Sequence, residues 1–223
     1  MSHIIINYAK DLLNDGRLVI KSQTEVSYIL IIDGDVAANR EIILEDGATL
    51  HAYYLFLNNN SRINLKHVIG QNSILTSNSL VLNSSSLNVG TEYNLTSRGG
   101  SVLVKADAVL NGAANLNYEA VLRVKPAAQK SDSRVDLRLY LNSPAARGRL
   151  IPQLEVAADD VKAGHSASTF KLSSDDLFYL RTRGLSKRQI MALQLKGLSN
   201  NFVQGLDGAT TKLILDLITK QYD

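Results

Sequence analysis

The chain has no cysteine among its 223 residues. That excludes disulfides, thiolate metal ligands and a cysteine nucleophile. Four histidines, His3, His51, His67 and His165, are the remaining soft ligands. Long hydrophobic runs are also missing: none approaches the ~18 to 20 residues of a membrane span. The opening MSHIIINYAKDLLNDG carries neither a basic flank nor a small-residue cleavage site, so no signal peptide is expected and the expected location is cytoplasmic. No dense basic patch with aromatic platforms is visible, which argues against nucleic acid. Residues 171–223 hold eight Lys/Arg against five Asp/Glu, a mildly basic tail that reads as a solvated helical face. Gly208-Ala209-Thr210-Thr211-Lys212 has the wrong spacing for a phosphate loop, so no ATP hydrolysis is expected.

What is present is ordinary globular material, 45% apolar and 20% charged, enough for one sizeable core. Up to about residue 170 the sequence reads as many short strands: IIINY (4–8), RLVIKS (17–22), VSYILII (26–32), EIILE (41–45), TLHAYYLFL (49–57), RINLKHV (62–68), SVLVKA (101–106), AVLRVK (120–125), VDLRLYL (135–141) and PQLEVAA (152–158). Several alternate apolar and polar with period two. Between them, DGDVAANR, EDGAT, NNNS, SNS, NSSS and ADAVLNGA read as turns. Such a series means a sandwich, a barrel or a solenoid. Asn- and Ser-rich turns without symmetric hairpin patterning favour a parallel β-helix, although no strict repeat is visible.

The period changes to 3.6 from Ser173. Ser173 or Ser174 can cap a helix with Asp175 and Asp176 in its first turn and Gly184 as its stop. Ser186 with Gln189 is a capping box opening a second helix, on which Ile190, Leu193 and Leu198 share a face. Leu213, Ile214, Leu217 and Ile218 form the stripe of a third. The expected organisation is a β core over 1–172 and a small helical domain over 173–223.

Among single residues, His165 is the strongest candidate for chemistry, since an imidazole can ligate iron or shuttle protons; the alternative is a turn histidine bonded to backbone. Asp159 and Asp160 are adjacent, so in a strand they would face opposite ways, and turn chemistry is the plainer reading. Phe178, Tyr179, Arg181, Arg183 and Gly184 could form a docking surface, because aromatics and Arg anchor interfaces. Alternatively, Phe178 and Leu180 pack the helix onto the end of the β-helix as the cap its open edge needs. His51, Tyr53, Tyr54 and His67 read as surface or core β residues.

The stretch from Tyr118 to Leu198 resembles the C-terminal part of the SufB/SufD family of the SUF iron–sulfur cluster assembly system, and the SufD branch more than the SufB branch. The resemblance is carried by Pro126-Ala127-Ala128-Gln129-Lys130, Leu141-Asn142-Ser143-Pro144-Ala145-Ala146, Pro152-Gln153-Leu154-Glu155, Asp159-Asp160-Val161-Lys162 and Phe178-Tyr179-Leu180-Arg181-Thr182-Arg183-Gly184-Leu185. It implies a right-handed parallel β-helix and a helical C-terminal domain that docks a SufC-like ABC ATPase. It also implies pairing of the β-helix with a SufB-like subunit or a second copy. His165 falls where the SufD-type histidine of that junction sits. Two departures stand out: Ala163 where relatives carry Cys, and Ser166 where they carry Gly. The N-terminal helical region of full-length relatives is missing. The implied role is a non-enzymatic scaffold that binds no cofactor stably by itself, with iron or a transient cluster handled in the complex. A stand-alone homodimer with another partner is the rival reading. A β-helical carbohydrate-active enzyme is a weaker one, because that chemistry wants clustered acids and the acids here are scattered.

Overall fold

The computed structural model describes residues 3–8, 16–57, 60–83 and 85–220. Asn58, Asn59 and Ser84, from two of the expected turns, lie outside them. Among the described residues, thirteen strands are followed by three helices. The strands are β1 (His3–Tyr8), β2 (Arg17–Ile20), β3 (Glu25–Asp33), β4 (Ala37–Leu44), β5 (Thr49–Leu57), β6 (Ser61–Ile69), β7 (Ile74–Asn83), β8 (Ser86–Leu95), β9 (Ser101–Leu110), β10 (Asn115–Val124), β11 (Asp132–Leu141), β12 (Arg147–Val156) and β13 (Lys162–Lys171). The helices are α1 (Ser174–Thr182), α2 (Lys187–Phe202) and α3 (Gly208–Lys220). Odd-numbered strands form one seven-stranded sheet and even-numbered strands a six-stranded one, each in chain order. Every pairing is parallel. The chain therefore winds as a β-solenoid of about six turns, as the turn chemistry and the resemblance lead one to expect.

Alternation explains the winding. On β5, Leu50, Ala52, Tyr54 and Phe56 point into the lumen between the sheets, while Tyr53, Leu55 and Leu57 belong to a second cluster outside it. On β3, Tyr28, Leu30 and Ile32 point inward and Ile29 and Ile31 outward. These strands are buried on both faces, which is why they read as unbroken apolar runs. The outward cluster is completed by Leu195, Leu198 and Phe202 of α2, Val203, and Ile214 and Ile218 of α3. The helices thus lie along the flank of the seven-stranded sheet. They do not cap the end of the solenoid, because the apolar outer rows of β3, β5 and β7 are the surface that most needs cover. Leu193, expected on the buried face of α2, is 57% exposed, and Leu213 is also exposed. The buried stripe of α2 runs Ile190, Leu195, Leu198, Ser199, Phe202 instead.

Three expected turns are wholly or largely strand. SNS is Ser77-Asn78-Ser79 in the middle of β7, most of ADAVLNGA lies in β9, and DGDVAANR has Asp33 in β3 and residues 37–40 in β4. Ser77 and Ser79 point into the lumen, where they hydrogen-bond the hydroxyls of Tyr93 and Tyr118 at 3.0 Å each. The lumen carries a further polar group, His67, with no exposed surface. Its Nδ1 lies 3.1 Å from the carbonyl of Glu92 and its Nε2 2.7 Å from the Tyr54 hydroxyl. Its ring stacks on Tyr93 with centroids 4.7 Å apart. A carbonyl only accepts, so Nδ1 carries the proton and the tyrosine hydroxyl donates to Nε2.

One glycine tests the packing near the end of the solenoid. Gly148 of β12 lies over the core, where a Cβ would sit 2.6 Å from Leu139 Cδ2 and 3.1 Å from Leu110 Cδ1. Gly148→Ala is expected to cost about 1–3 kcal/mol by overpacking. Urea unfolding of the purified variant checks this; a neutral result would mean the last coils yield freely.

Candidate functional site

Both sheets end in an unpaired strand at the C-terminal end of the solenoid: β12 pairs only with β10, and β13 only with β11. Among the described residues no further coil covers this mouth. Residues that continue the buried lumen rows are therefore open to solvent. Ser133, Val135, Leu137 and Leu139 of β11 are all buried, and they stand in register with Ala163, His165, Ala167 and Thr169 of β13. Of these four, all are exposed. Opposite them, Leu150, Pro152 and Leu154 of β12 continue the row of Tyr118, Ala120 and Leu122.

His165 thus sits at the mouth of the solenoid, on the lumen-facing row. Its Nδ1 lies 3.1 Å from the carbonyl of Pro152. The carbonyl accepts, so Nδ1 carries the proton and Nε2 presents its lone pair to the mouth. A backbone carbonyl holding one imidazole nitrogen while the other faces outward is the usual support for a ligating histidine. His165 is bonded to backbone as the plainer sequence reading expects, but from within a strand and not from a turn. Among the described residues no three His, Cys, Asp or Glu side chains gather as a ligand set, so His165 brings one nitrogen and no chelate. Ala163 occupies the same row two positions away.

On the outer face of β13, Ser166 donates to Asp136 Oδ1 at 2.7 Å, and Arg134 holds the same carboxylate at 2.8 Å. Burial pushes Asp136 up, but the bonds from Arg134 and Ser166 outweigh it and hold the carboxyl below its ordinary value. Asp159 and Asp160 fall in the turn between β12 and β13, where Asp160 takes a backbone hydrogen bond from Lys130 at 2.6 Å. They form no carboxylate pair. Other outer acids are tied up in cross-strand ion pairs, such as Glu92 and Glu155 flanking Arg123 at 2.8 Å each.

The second candidate surface is helical. Ser173 caps α1 in a capping box with Asp176, and Gly184, at φ +83°, ends it. No residue of α1 is buried. Phe178 is 71% and Tyr179 58% exposed, so neither packs the helix down onto the solenoid. The Arg183 guanidinium lies 5.3 Å from the centroid of the Tyr179 ring, a cation–π contact that orders both side chains. Arg181 is exposed beside them. Sequence reasoning missed the adjoining groove between α2 and α3, about 750 Å³. Met191, Ala192, Leu195, Leu215 and Ile218 form its apolar floor, and Lys187, Arg188 and Lys196 its basic rim.

Among the described residues no helix is long and apolar enough to cross a membrane. The chain is similar to several curated proteins. It is 31% identical over 94 residues to an iron–sulfur cluster assembly SufBD family protein of Mycobacterium bovis, covering 42% of this chain and 11% of that protein. It is 30% identical over 89 residues to the iron–sulfur cluster assembly protein SufD of Bacillus subtilis, covering 40% of this chain and 20% of the relative. It is 28% identical over 102 residues to SufD of Escherichia coli, covering 46% and 22%. The aligned stretches thus span less than a quarter of each of these relatives. The profile of the family described as SUF system FeS cluster assembly, SufBD core domain, matches residues 38–198. That stretch runs from β4 through the open mouth and α1 into α2, well over half of the chain, and the chain belongs to this family.

Proposed function

We propose that this SufBD-family protein is a SufD-like scaffold subunit of an iron–sulfur cluster assembly complex, working in the cytoplasm. The β12/β13 mouth pairs with a SufB-like subunit or with a second copy. The helices α1–α3 dock a SufC-like ABC ATPase. The observation that carries this reading is the uncapped mouth: two free strand edges are ready for β-augmentation, with the open Nε2 of His165 between them. The chain lacks thiolates, so iron or a nascent cluster there takes its other ligands from the paired subunit. His165 supplies one nitrogen, and in cluster assembly the chain acts as a scaffold.

Phe178 and Tyr179, with Arg181 and Arg183 beside them and Gly184 fixing the helix end, are the expected anchors for the ATPase. A Phe178→Ala/Tyr179→Ala double variant is expected to weaken ATPase binding at least ~30-fold, the loss of one strong anchor. Its melting temperature should match that of the parent. Calorimetric titration against a purified SufC-type ATPase reads this, and unchanged affinity sinks the docking assignment. An anaerobic pull-down of the tagged chain from its host tests the wider reading. Recovery of an ABC-type ATPase supports it; recovery of the chain only as a self-dimer favours the rival in which the mouth pairs two copies for another purpose. The absence of cysteine is what keeps that rival in view.

A further inference from the structure

The helices do not cover the whole outer face of the seven-stranded sheet. Beyond the C-terminal end of α2 it opens into a cleft of about 890 Å³, rimmed by Phe202, Gln204 and Gly205. Three side chains from three neighbouring strands line up on its floor. His51 of β5 and Thr76 of β7 share one register row, and Glu25 opens β3 beside them. His51 Nδ1 lies 2.8 Å from Thr76 Oγ1, and His51 Nε2 lies 3.2 Å from Glu25 Oε1. A carboxylate only accepts, so Nε2 carries the imidazole proton and the Nδ1 lone pair takes the threonine hydroxyl.

A hydroxyl bonded to an imidazole whose far nitrogen is held by a carboxylate is the arrangement that activates an alcohol as a nucleophile, and geometry rather than chain order identifies it. A cross-strand polar ladder could place the same three groups together for packing alone. Here, however, the trio faces a cleft that also holds hydrogen-bond donors. Asn78 lies two residues along β7 on the same face, and Lys105 of β9 stands in register with it. Lys105 makes no ion pair with a described residue, whereas Arg134 and Arg138 on the same wall are held by Asp136 and Asp107.

We propose that this cleft is an acyl-transfer site that hydrolyses small carboxylic esters whose acyl group carries an anionic tail. Thr76 Oγ1 attacks the carbonyl carbon while its proton passes to His51 Nδ1. Glu25 steadies the resulting imidazolium, and Asn78 and Lys105 face the oxygen that gains charge. The bond to the leaving alcohol breaks, and His51 returns the proton to that alcohol. Water, deprotonated by the same nitrogen, then cleaves the acyl-threonine and restores the hydroxyl. Lys105, the cation of this wall without an ion pair to a described residue, favours a carboxylate on the acyl group.

The test uses the full chain with the mono-4-nitrophenyl ester of suberic acid, whose carboxylate is too far along the chain to close readily on its own ester, and with 4-nitrophenyl acetate as the neutral comparison, each rate taken above its protein-free blank. Release of nitrophenolate is expected well above that from an equal concentration of free imidazole, and faster for the anionic ester. Thr76→Val, which replaces a hydroxyl by a methyl group, should lower the rate about 100-fold or more, and Thr76→Ser should retain it. His51→Gln should match Thr76→Val and covers the case in which the valine variant misfolds. Digestion after an acid quench should find the acyl group on the peptide carrying Thr76. No hydrolysis above imidazole, or a full rate in Thr76→Val, overturns the site. Equal rates for the two esters overturn the assigned substrate class.

Discussion

Phe202→Ala is expected to lower the unfolding free energy by about 3–5 kcal/mol, the usual cost of truncating a buried aromatic. Phe202 is 5% exposed and meets Tyr53 edge-on, with ring centroids 5.8 Å apart and planes at 90°. Tyr53 in turn donates its hydroxyl to the carbonyl of Gln204 at 2.9 Å, tying the end of α2 to β5. Loss of the ring therefore opens a cavity and frees the junction that holds α2 and α3 on the solenoid. Beneath lie Ile29, Ile31, Leu55, Leu57, Leu80 and Leu82, an apolar face that water would then reach. The variant should also self-associate, as exposed apolar patches do. Phe178→Ala, a larger loss of visible surface but not of buried contact, should stay within about 0.5 kcal/mol of the parent. Urea unfolding with light scattering on the two proteins separates them. A Phe202→Ala cost below that of Phe178→Ala would mean the helices are carried by the solenoid without bracing it.

This contrast shows which parts of the protein were legible in the sequence. The strands that carry helices on their outer face announced themselves as unbroken apolar runs, and the caps of α1 and α2 were readable from Ser173 and Ser186. The repeat was not. Paired residues lie 24 apart at Lys21 and Glu45, 27 apart at Asn94 and His67, and 31 apart at Arg123 and Glu92. The coils lengthen along the chain, from 24 residues between Val26 and Leu50 to 31 between Ser101 and Asp132 and 30 between Asp132 and Lys162, so no fixed period survives. The turns entering the odd strands share a left-handed residue, but it is Gln23, Gly47, Asn72, Gly99 and Lys130 in succession. Three of the five are not the glycine such a conformation favours. Ser77 and Ser79 misled because a lumen serine and a turn serine look alike until the partner tyrosine is placed. At the mouth the sequence offered His165, but not its place on the lumen row, which depends on the register of β13 against β11. The His51 row was invisible for the same reason: Glu25, His51 and Thr76 meet only through pairing.

The lumen itself should make stability depend on pH. Burial pushes His67 down to about 4, against an ordinary value near 6.5, with the bond to the Glu92 carbonyl opposing the shift. The folded state therefore keeps the ring neutral where the unfolded chain protonates it. Between those two values the unfolded state binds more protons, so stability rises with pH. The stability held by the neutral ring is fully present above about pH 6.5 and is lost as pH falls towards 4, by about 3 kcal/mol in all. The proton has nowhere to go in the fold, because Nδ1 already donates to a carbonyl and Nε2 is filled by the Tyr54 hydroxyl. His67→Phe keeps the stack on Tyr93 but leaves the Glu92 carbonyl and the Tyr54 hydroxyl without this partner, at about 1–3 kcal/mol for each group left unpaired. The variant is then less stable than the parent at pH 8. Having no imidazole to protonate, it loses less on acidification, and the two stability curves close on each other between pH 6.5 and 4. Other titrating groups are common to both proteins and cancel in the difference. Urea unfolding of the pair at half-unit steps of pH reads the result. A gap that stays constant across that window would mean that His67 is protonated inside the fold at no cost, and that the lumen admits water.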